Sequence, residues 1–319
     1  MENHTVLVLA DPADRTLALL EELPDETSLV VGNCPEAFER AAPEATVILN
    51  WANTSELLEP VFAMTPRLRW VHARSAGLDA VLFPALVESP VTLTNGRGVF
   101  SEPLGEFVVG AALYFAKDFR RMVKSQEAGC WDQFDVTEVA GQTMGIVGYG
   151  DIGRACARRA RAMGMRVIGL RRSPSADPDA DEIAGPEALP DLLARSDYVV
   201  LALPLTPATG GLIGAPELNL MQPTAVLMNV GRGPVVRERD LIEALRQRRI
   251  RGAALDVFET EPLPAGHPYY GLDNLLLSPH CADHTPDWLE RAMRFFLGNF
   301  ERFRRGEALQ NVVDKRRGY

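Results

Sequence analysis

The stretch TMGIVGYGDIGRACARRARAMG, residues 143–164, decides the fold of this chain. An apolar run, TMGIVG, leads into Gly148, Gly150 and Gly153 in GxGxxG spacing, and a helical pattern follows directly. In that setting the first glycine permits a tight turn, the second lets the backbone approach a pyrophosphate, and the third lets helix and strand pack closely. The first turn of the helix offers N–H groups to the anion. An ordinary glycine-rich turn is the alternative, but strand, spacing and helix together predict dinucleotide binding.

The stretch VIGLRRSPS, residues 167–175, indicates which dinucleotide binds. In such a unit an acidic residue about 20 positions beyond the first glycine usually holds the ribose hydroxyls of NAD. Here that position falls on Arg171, followed by Arg172 and Ser173. A guanidinium forks onto phosphate oxygens, so we predict that NADP is the preferred cofactor and NAD the second choice. The alternative is a solvated basic turn in which Arg171 only stacks on adenine.

Short apolar runs alternate with helical patterns along most of the chain, which is typical of parallel α/β architecture. The first third contains the candidate strands TVLVLA, TSLVV, ATVILNW, RWVHA and VTLT, with amphipathic segments at residues 16–22 and 35–41. These elements predict a small flavodoxin-like unit that ends near Gly98. A second α/β series contains the candidate strands TMGIVG, MRVIGL, DYVVLALP, AVLMNV, RGAALDV and NLLLSP.

Two long helical patterns indicate how the chain passes between these units. Residues 101–124 are predicted to form one helix, with Ser101 as its N-cap and a basic last turn. The segment from Pro286 to about Arg305 is predicted to form one amphipathic helix, for which the second series has no obvious partner. We therefore expect the chain to return to the first domain, with a cleft between the two. The predicted domains are a discontinuous substrate-binding domain, residues 1–99 plus 285–319, and a dinucleotide-binding domain, residues 100–284.

Three later segments place polar residues directly after apolar runs. They are MNVGRGPVV with Arg232, ALDVFETEPLP with Asp256 and Glu261, and LLLSPHCADH with His280. Such positions face the crevice at the carboxyl edge of an open parallel sheet. Together with GYGDIG, RSAGLD (74–79), residues 98–106 and LPLTPAT (203–209), these motifs resemble the D-isomer-specific 2-hydroxyacid dehydrogenase family, in particular its glyoxylate/hydroxypyruvate reductases. The resemblance covers most of the chain.

The resemblance implies an α/β protein of two Rossmann-like domains, a flavodoxin-like substrate domain and a doubly wound parallel-sheet domain for the dinucleotide. It also implies a homodimer formed through the cofactor domain, and it places Arg232, Glu261 and His280 at the family's catalytic positions. Each residue alone has a structural alternative: Arg232 could cap a helix, Glu261 could be a loop carboxylate, and His280 could be a satisfied core histidine.

The chemistry of 2-keto acid reduction needs these residue types. Arg232 can fork onto the substrate carboxylate and the carbonyl oxygen, which aligns the substrate and polarises the C=O bond. A hydride then reaches the carbonyl carbon from the nicotinamide, and His280 can give a proton to the oxygen. Glu261, hydrogen-bonded to the other ring nitrogen, would fix the tautomer and favour the imidazolium that reduction requires.

The motifs and the resemblance together imply further contacts. Backbone N–H groups of residues 74–77 would hold the substrate carboxylate, and Val99 and Phe100 would flank the nicotinamide. Trp51 either walls the substrate pocket or packs in the core. The predicted substrate contacts are Trp51, Ser75, Ala76, Gly77, Arg232 and His280. The predicted cofactor contacts are Gly148, Gly150, Asp151, Ile152, Gly153, Arg171, Arg172, Ser173, Leu203, Pro204, Thr209, Val230, Gly231 and Asp256, the last at the carboxamide.

Two departures from the family pattern and two other functions stay open. Asp283 and His284 stand where the family more often has small residues, which leaves the substrate undecided. A metal cluster of His280, Asp283 and His284 is a weaker alternative, and we predict no metal.

The other functions are a dinucleotide-sensing protein like the family's transcriptional corepressors, and NAD-linked oxidation of a D-2-hydroxy acid. The chain's end after the last helix disfavours a long-form phosphoglycerate dehydrogenase with a sensor domain.

Composition limits the partners. The net charge of −10 over 319 residues argues against a nucleic-acid-binding surface. No apolar run is long enough to cross a bilayer, and the N-terminus lacks the basic start and apolar run of a signal peptide. The four cysteines are scattered without a CxxC pair, as expected for reduced thiols. We therefore predict a cytoplasmic protein that binds neither nucleic acid nor a membrane. Its partner, as the resemblance implies, is a small 2-keto or 2-hydroxy acid.

Overall fold

The computed structural model describes residues 3–318, and the chain divides into two compact units. The first unit contains the residues up to Phe100 together with those from Thr285 onward, and the second unit contains Ser101–His284. Each unit is built on a parallel sheet, so the predicted α/β class and the two Rossmann-like sheets are confirmed. Within the described residues, no helix has the length and apolar character needed to span a membrane.

The first unit has a five-stranded parallel sheet in the order β2-β1-β3-β4-β5, which is the flavodoxin-like order. Its central strands are buried on both faces, which explains why their sequences are almost continuously apolar. The strands are β1 Thr5–Leu9, β2 Ser28–Gly32, β3 Ala45–Asn50, β4 Trp70–Ala73 and β5 Thr92–Asn95, and the helices are α1 Ser55–Ala63, α2 Pro84–Glu88 and the last helix of the chain, α9 Trp288–Arg304, with 3-10 turns at Arg15–Glu22, Pro35–Ala37 and Ala42–Glu44.

Helix α9 covers one face of the first sheet. Its apolar residues Met293, Phe296 and Phe300 are fully buried. The rings of Phe296 and Phe300 stack on Trp70 of β4, with centroid distances of 5.3 and 6.5 Å. The amphipathic pattern seen in the sequence is therefore the face that this helix packs against the sheet of the first unit.

The second unit has a seven-stranded parallel sheet in the order β12-β11-β10-β9-β6-β7-β8, the doubly wound order with one strand added at an edge. Apolar clusters fill both faces of this sheet. The strands are β6 Thr143–Val147, β7 Arg166–Leu170, β8 Glu182–Ala184, β9 Tyr198–Leu201, β10 Val226–Asn229, β11 Gly252–Leu255 and β12 Leu275–Leu277, and the helices are α3 Ser101–Ala116, α4 Phe119–Glu127, α5 Asp151–Ala162, α6 Leu189–Arg195, α7 Ala215–Leu220 and α8 Glu238–Arg246, with 3-10 turns at Pro186–Ala188, Gly233–Val235 and Pro268–Gly271.

The prediction of one helix over residues 101–124 is wrong. The helical pattern is interrupted at Asp118, whose φ of +50° is left-handed, and whose side chain accepts a hydrogen bond from the Arg121 N–H. Aspartate tolerates this conformation and caps helices well, so it ends α3 and starts α4. Ser101 is the first helical residue rather than the N-cap.

Two shorter elements also differ from the sequence-based expectation. The amphipathic segment at residues 35–41 forms only a 3-10 turn, because Pro35 fixes the start and the helical geometry ends at Ala37. Strand β8 was not predicted, since three half-buried residues give almost no alternation to detect. The nine-residue helix α1 was not predicted either, and it contains Pro60 in its interior.

Candidate active site

The glycine turn after β6 has the form that a pyrophosphate-binding loop needs. Gly148 has a φ of +98°, and a Cβ there would lie 2.5 Å from the Ala202 carbonyl oxygen. A Cβ on Gly153 would lie 2.6 Å from the Gly148 oxygen, so this glycine lets α5 pack against the turn. A Cβ on Gly150, in contrast, would meet nothing within 4 Å. Gly150 is the N-cap residue of α5 and has no side chain to cap the helix. The N–H groups of the first turn are therefore accessible to an anion.

The basic turn after β7 holds its first arginine in place through the backbone. The Arg171 N–H donates to the Ala184 oxygen of β8 at 3.1 Å, and its Nη2 donates to the Ser175 oxygen at 3.1 Å. The Nε of Arg171 is buried and has no acceptor among residues 3–318. Arg172 and Ser173 are exposed beside it. Strand β8 therefore anchors a turn that presents guanidinium donors next to the glycine turn.

The other predicted cofactor positions lie on loops at the carboxyl ends of β9 and β10. Thr209 Oγ1 donates to the Pro204 oxygen at 2.7 Å, which closes the loop after β9. A Cβ on Gly231 would lie 2.6 Å from the Leu203 oxygen, so the two loops approach each other at a glycine. Val230 is buried, Asp151 is exposed, and Ile152 is half-buried.

Parallel pairing brings most of the predicted second-unit residues to one edge of the sheet. The glycine turn follows β6, Arg171 follows β7, and three neighbouring strands, β10, β11 and β12, end just before Arg232, Asp256 and His280. All strand pairs in this sheet are parallel, so these residues share the carboxyl edge. The glycine turn lies at the point where the strand order reverses, between β6 and β9.

Arg232 is presented by a turn that Asn229 clamps. The Asn229 side chain donates to the Arg232 carbonyl oxygen at 2.9 Å and accepts from the Gly231 N–H at 3.1 Å. A Cβ on Gly233 would lie 1.9 Å from the Phe258 carbonyl, so the segment that leads to Glu261 packs directly against this turn. Asn229 was not among the predicted site residues. The only sequence signal for its role is an amide side chain at the end of a buried strand.

His280 and Glu261 form a hydrogen bond of 2.6 Å between Nδ1 and Oε2. The other carboxylate oxygen of Glu261 accepts from the Phe258 N–H at 2.8 Å, which fixes the carboxylate plane. The His280 side chain is 45% exposed, so its second ring nitrogen can be reached from solvent. A carboxylate at Nδ1 fixes the orientation of the ring and leaves Nε2 for proton transfer, as an acid/base pair requires.

Asp256 shapes the turn that carries His280. Its Oδ1 accepts three hydrogen bonds, from Ser278 Oγ at 2.6 Å and from the N–H groups of Cys281 and Ala282 at 3.0 Å. His280 itself has a left-handed φ of +52°. A non-glycine residue in that region needs support from its surroundings, and the buried Asp256 carboxylate supplies it.

Asp283 and His284 follow on the same turn, with 3.7 Å between Asp283 Oδ1 and His284 Nε2. Burial raises the pKa of Asp283, and the nearby Asp256 carboxylate adds to this rise. Among residues 3–318 no group of three His, Cys, Asp or Glu side chains is arranged to hold a metal ion. Asp283 is therefore a partly buried carboxyl group within the electrostatic reach of His280.

In the first unit, the predicted substrate loop follows β4. The Ser75 N–H already donates to Asn53 Oδ1 at 3.2 Å, and the Ala76 oxygen accepts from Asn95. Within the described chain, the N–H groups of Ala76 and Gly77 make no hydrogen bond. The backbone donors of Ala76 and Gly77 are therefore unused within the described chain, and the substrate contacts of Ser75, Ala76 and Gly77 stay a prediction.

Trp51 lies in the core of the first unit. It is 2% exposed, and its Nε1 donates to Asp14 at 2.7 Å. The Arg74 guanidinium lies over the rings of Trp51 and Trp288, at 5.3 and 5.6 Å from their centroids. The Trp51 ring therefore packs in the core and contacts Arg74, and its role as a wall of the substrate pocket stays a prediction. Phe100 is also buried in this unit, against Trp288.

Comparison with known proteins identifies the family. Residues 109–282 match the model of the D-isomer specific 2-hydroxyacid dehydrogenase NAD binding domain. The chain belongs to this family. The resemblance inferred from the motifs is thereby confirmed, and the protein is an NAD(P)-dependent oxidoreductase of the 2-hydroxyacid dehydrogenase class.

The relatives differ in how much of their own length matches this chain. A D-3-phosphoglycerate dehydrogenase of Methanocaldococcus jannaschii is 31% identical over 97% of this chain, but the match spans only 59% of that protein. A glyoxylate reductase of Korarchaeum cryptofilum is 35% identical over 80% of this chain and 79% of its own. The crystal structure of an NADPH-dependent glyoxylate/hydroxypyruvate reductase of Sinorhizobium meliloti, with NADP and sulfate, is 29% identical, has a TM-score of 0.87, and covers 99% of this chain and 100% of its own.

Proposed function

We propose that this dehydrogenase reduces a small 2-keto acid of the glyoxylate or hydroxypyruvate type to the D-2-hydroxy acid, with NADPH as its preferred reductant. The 2.6 Å bond between Glu261 and His280, at the sheet edge that also carries Arg232 and the glycine turn, is the observation that supports this proposal. The activities of the Korarchaeum and Sinorhizobium relatives support the substrate class.

In this mechanism Arg232 binds the substrate carboxylate and polarises the carbonyl group. The nicotinamide, when bound, supplies the hydride that reaches the carbonyl carbon. His280 gives the proton from Nε2 to the substrate oxygen, while Glu261 keeps Nδ1 engaged and holds the ring in position. Reduction therefore starts from protonated His280 and ends with the neutral ring, and oxidation would run the same proton transfer in reverse.

The residues present fit a dinucleotide. The open space beside Gly150 and the uncapped start of α5 leave room and donors for a pyrophosphate. We propose that the second unit is the dinucleotide-binding domain and the first the substrate-binding domain. The match of residues 109–282 to an NAD binding domain supports the first assignment.

We propose NADP preference because residues 171–175, directly after β7, include Arg171, Arg172 and Ser173 and no acid. The buried Arg171 Nε, which has no acceptor among residues 3–318, supports this assignment, since a 2′-phosphate could supply one. A charge-assisted hydrogen bond contributes about 1.5–3 kcal/mol, which corresponds to roughly ten- to hundredfold in specificity. Replacing Arg171 with Asp and Arg172 with Ala should lower kcat/KM for NADPH by that factor and leave NADH almost unaffected.

The test measures NADPH and NADH oxidation with a panel of 2-keto acids. Arg246→Ala, at the exposed end of α8, is the control for loss of a surface arginine and should keep the cofactor ratio of the parent enzyme. Equal use of NADH by the parent enzyme would overturn the NADP assignment. Absence of turnover with every keto acid would overturn the proposed reaction and favour a dinucleotide-sensing protein, and normal turnover by His280→Ala would overturn the mechanism.

We also propose a cytoplasmic homodimer that forms through the second unit. Helix α4 and the segment after it expose several large apolar side chains, which is typical of surfaces that are covered by another protein. All four cysteines are free, which supports a reducing compartment. Light scattering should give the mass of a dimer, and lysine substitutions in this patch should give a monomer. The exposed side chains are Phe119, Met122, Val123, Trp131 and Val136.

A further inference from the structure

A cavity of about 360 Å³ lies at the amino edge of the second sheet, opposite to the edge that carries the glycine turn. Arg251 and Asn274, which directly precede β11 and β12, line it together with Phe115 from the end of α3. Helix α4 contributes Arg120, Arg121, Lys124 and Ser125 to its lining. It belongs to one unit and contains none of the residues of the proposed active site.

The lining of this cavity contains five cationic side chains against two acidic ones, Asp118 and Asp273, although the chain carries a net charge of −10. Two of the cations are neutralised nearby: Arg121 forms two hydrogen bonds with Asp132, at 2.6 and 2.8 Å, and Arg248 pairs with Asp273 at 2.5 Å. The charges of these two arginines are therefore largely compensated within the protein.

Three further cations in the lining have no carboxylate partner among residues 3–318: Arg120, Lys124 and Arg251. Arg251 donates to the Phe115 carbonyl oxygen, and Arg120 Nη1 donates to the Leu275 oxygen at 3.4 Å. Neutral carbonyl groups orient a guanidinium without cancelling its charge. The Nε of Arg120 is also buried and has no acceptor in the described chain, which is costly for a buried donor unless a bound group satisfies it.

We propose that this cavity binds a small, multiply charged organic anion, one that carries phosphate or several carboxylate groups. Arg120 and Arg251 are held by the backbone at the base, and Lys124 stands at the rim, so the donors are partly ordered before binding. The volume matches the lower end of the range for metabolite sites. Phe115 and Tyr114 provide an apolar wall against the carbon skeleton of such a ligand.

Isothermal titration calorimetry at low ionic strength tests the proposal, with inorganic pyrophosphate and citrate as the two probes. Saturating NADPH is present so that the dinucleotide site is already filled. We expect one binding event per chain, and the tighter probe identifies a phosphate site or a carboxylate site. Low salt is needed because exposed charges are screened over a Debye length of about 10 Å at 0.1 M.

Two substitutions with opposite effects make the test specific. Lys124→Gln removes an exposed cation and should weaken binding about tenfold, the value of one charge-assisted hydrogen bond. Asp273→Asn releases Arg248 from its ion pair and should tighten binding severalfold. Arg316→Gln, an equal charge change on the exposed surface of the first unit, should change nothing. No saturable heat with either probe, or equal affinity in both cavity variants, would overturn the proposal.

Discussion

His72 should make this protein sensitive to acid. It lies in β4, is 1% exposed, and is surrounded by the rings of Trp70, Phe295 and Phe296. Its Nδ1 is 2.7 Å from Thr94 Oγ1, whereas its Nε2 is buried and has no partner in the described chain. Protonation would therefore place a charge and an unpaired N–H group in an apolar core, so burial lowers the pKa of His72 from 6.5 to about 3.

The sign and size of the pH effect on stability follow from the difference between the His72 pKa in the unfolded and folded chains. The unfolded chain takes up a proton below its pKa of 6.5, whereas the folded chain resists it down to about 3. The neutral, buried His72 therefore contributes its full stability above pH 6.5, and this contribution is lost as the pH falls from 6.5 towards 3. By linkage, the free energy of unfolding should fall by about 2 kcal/mol between about pH 7.5 and pH 5. This loss corresponds to roughly 4–8 °C in Tm.

The assay compares thermal unfolding of His72→Leu and the parent protein at the two pH values. The leucine variant should lose about 2 kcal/mol less than the parent over this range, because nothing at position 72 can then take up a proton. Thr94→Val is the control: it removes the hydroxyl that contacts His72 Nδ1 and accepts from Trp70 Nε1, but keeps the imidazole buried, so it should lower Tm at both pH values and keep the parent's pH dependence. An unchanged pH dependence in His72→Leu would refute the reasoning.

Three further substitutions test the proposed active site. Glu261→Gln should lower kcat for keto acid reduction by about 10²-fold or more without changing the NADPH Kd, because only the carboxylate contact with His280 Nδ1 is lost; stopped-flow and binding measurements check this. Gly233→Ala should lower both Tm and kcat, since its Cβ would lie 1.9 Å from the Phe258 carbonyl; an unaffected enzyme would contradict the packing. Gly150→Ala should raise the NADPH Kd and leave Tm nearly unchanged, as its Cβ meets no protein atom within 4 Å, and fluorescence titration measures it.

The glycine turn was predictable because each of its features has a local physical reason. Gly148 needs a positive φ, Gly153 needs close contact with the turn, and an apolar strand must precede both. The same holds for the strand ends that carry Arg232 and His280, since buried parallel strands appear as continuous apolar runs. Residues that are neighbours in the chain determine these elements, so their positions can be predicted from the sequence.

Other features depend on competition between local and long-range effects. The apolar periodicity of residues 101–124 continues across Asp118, yet the side-chain cap and the left-handed backbone at that residue break the helix. Trp51 follows a strand end like the active-site residues, but a hydrogen bond to Asp14, 37 positions earlier, fixes its burial. Contacts of this kind join residues that are distant in the chain, and no local pattern reveals them.

The two acids after β11 show why residue type alone could not assign every function. The sequence places Asp256 and Glu261 five positions apart, and the family resemblance implied a cofactor contact for the first. The structure shows that Asp256 Oδ1 is used within the protein, where it accepts three donors from the turn around His280. Glu261 contacts the imidazole of the same residue instead. One carboxylate therefore holds the backbone of His280 in its left-handed conformation and the other holds its ring, so both degrees of freedom of the proposed proton donor are fixed before a substrate binds.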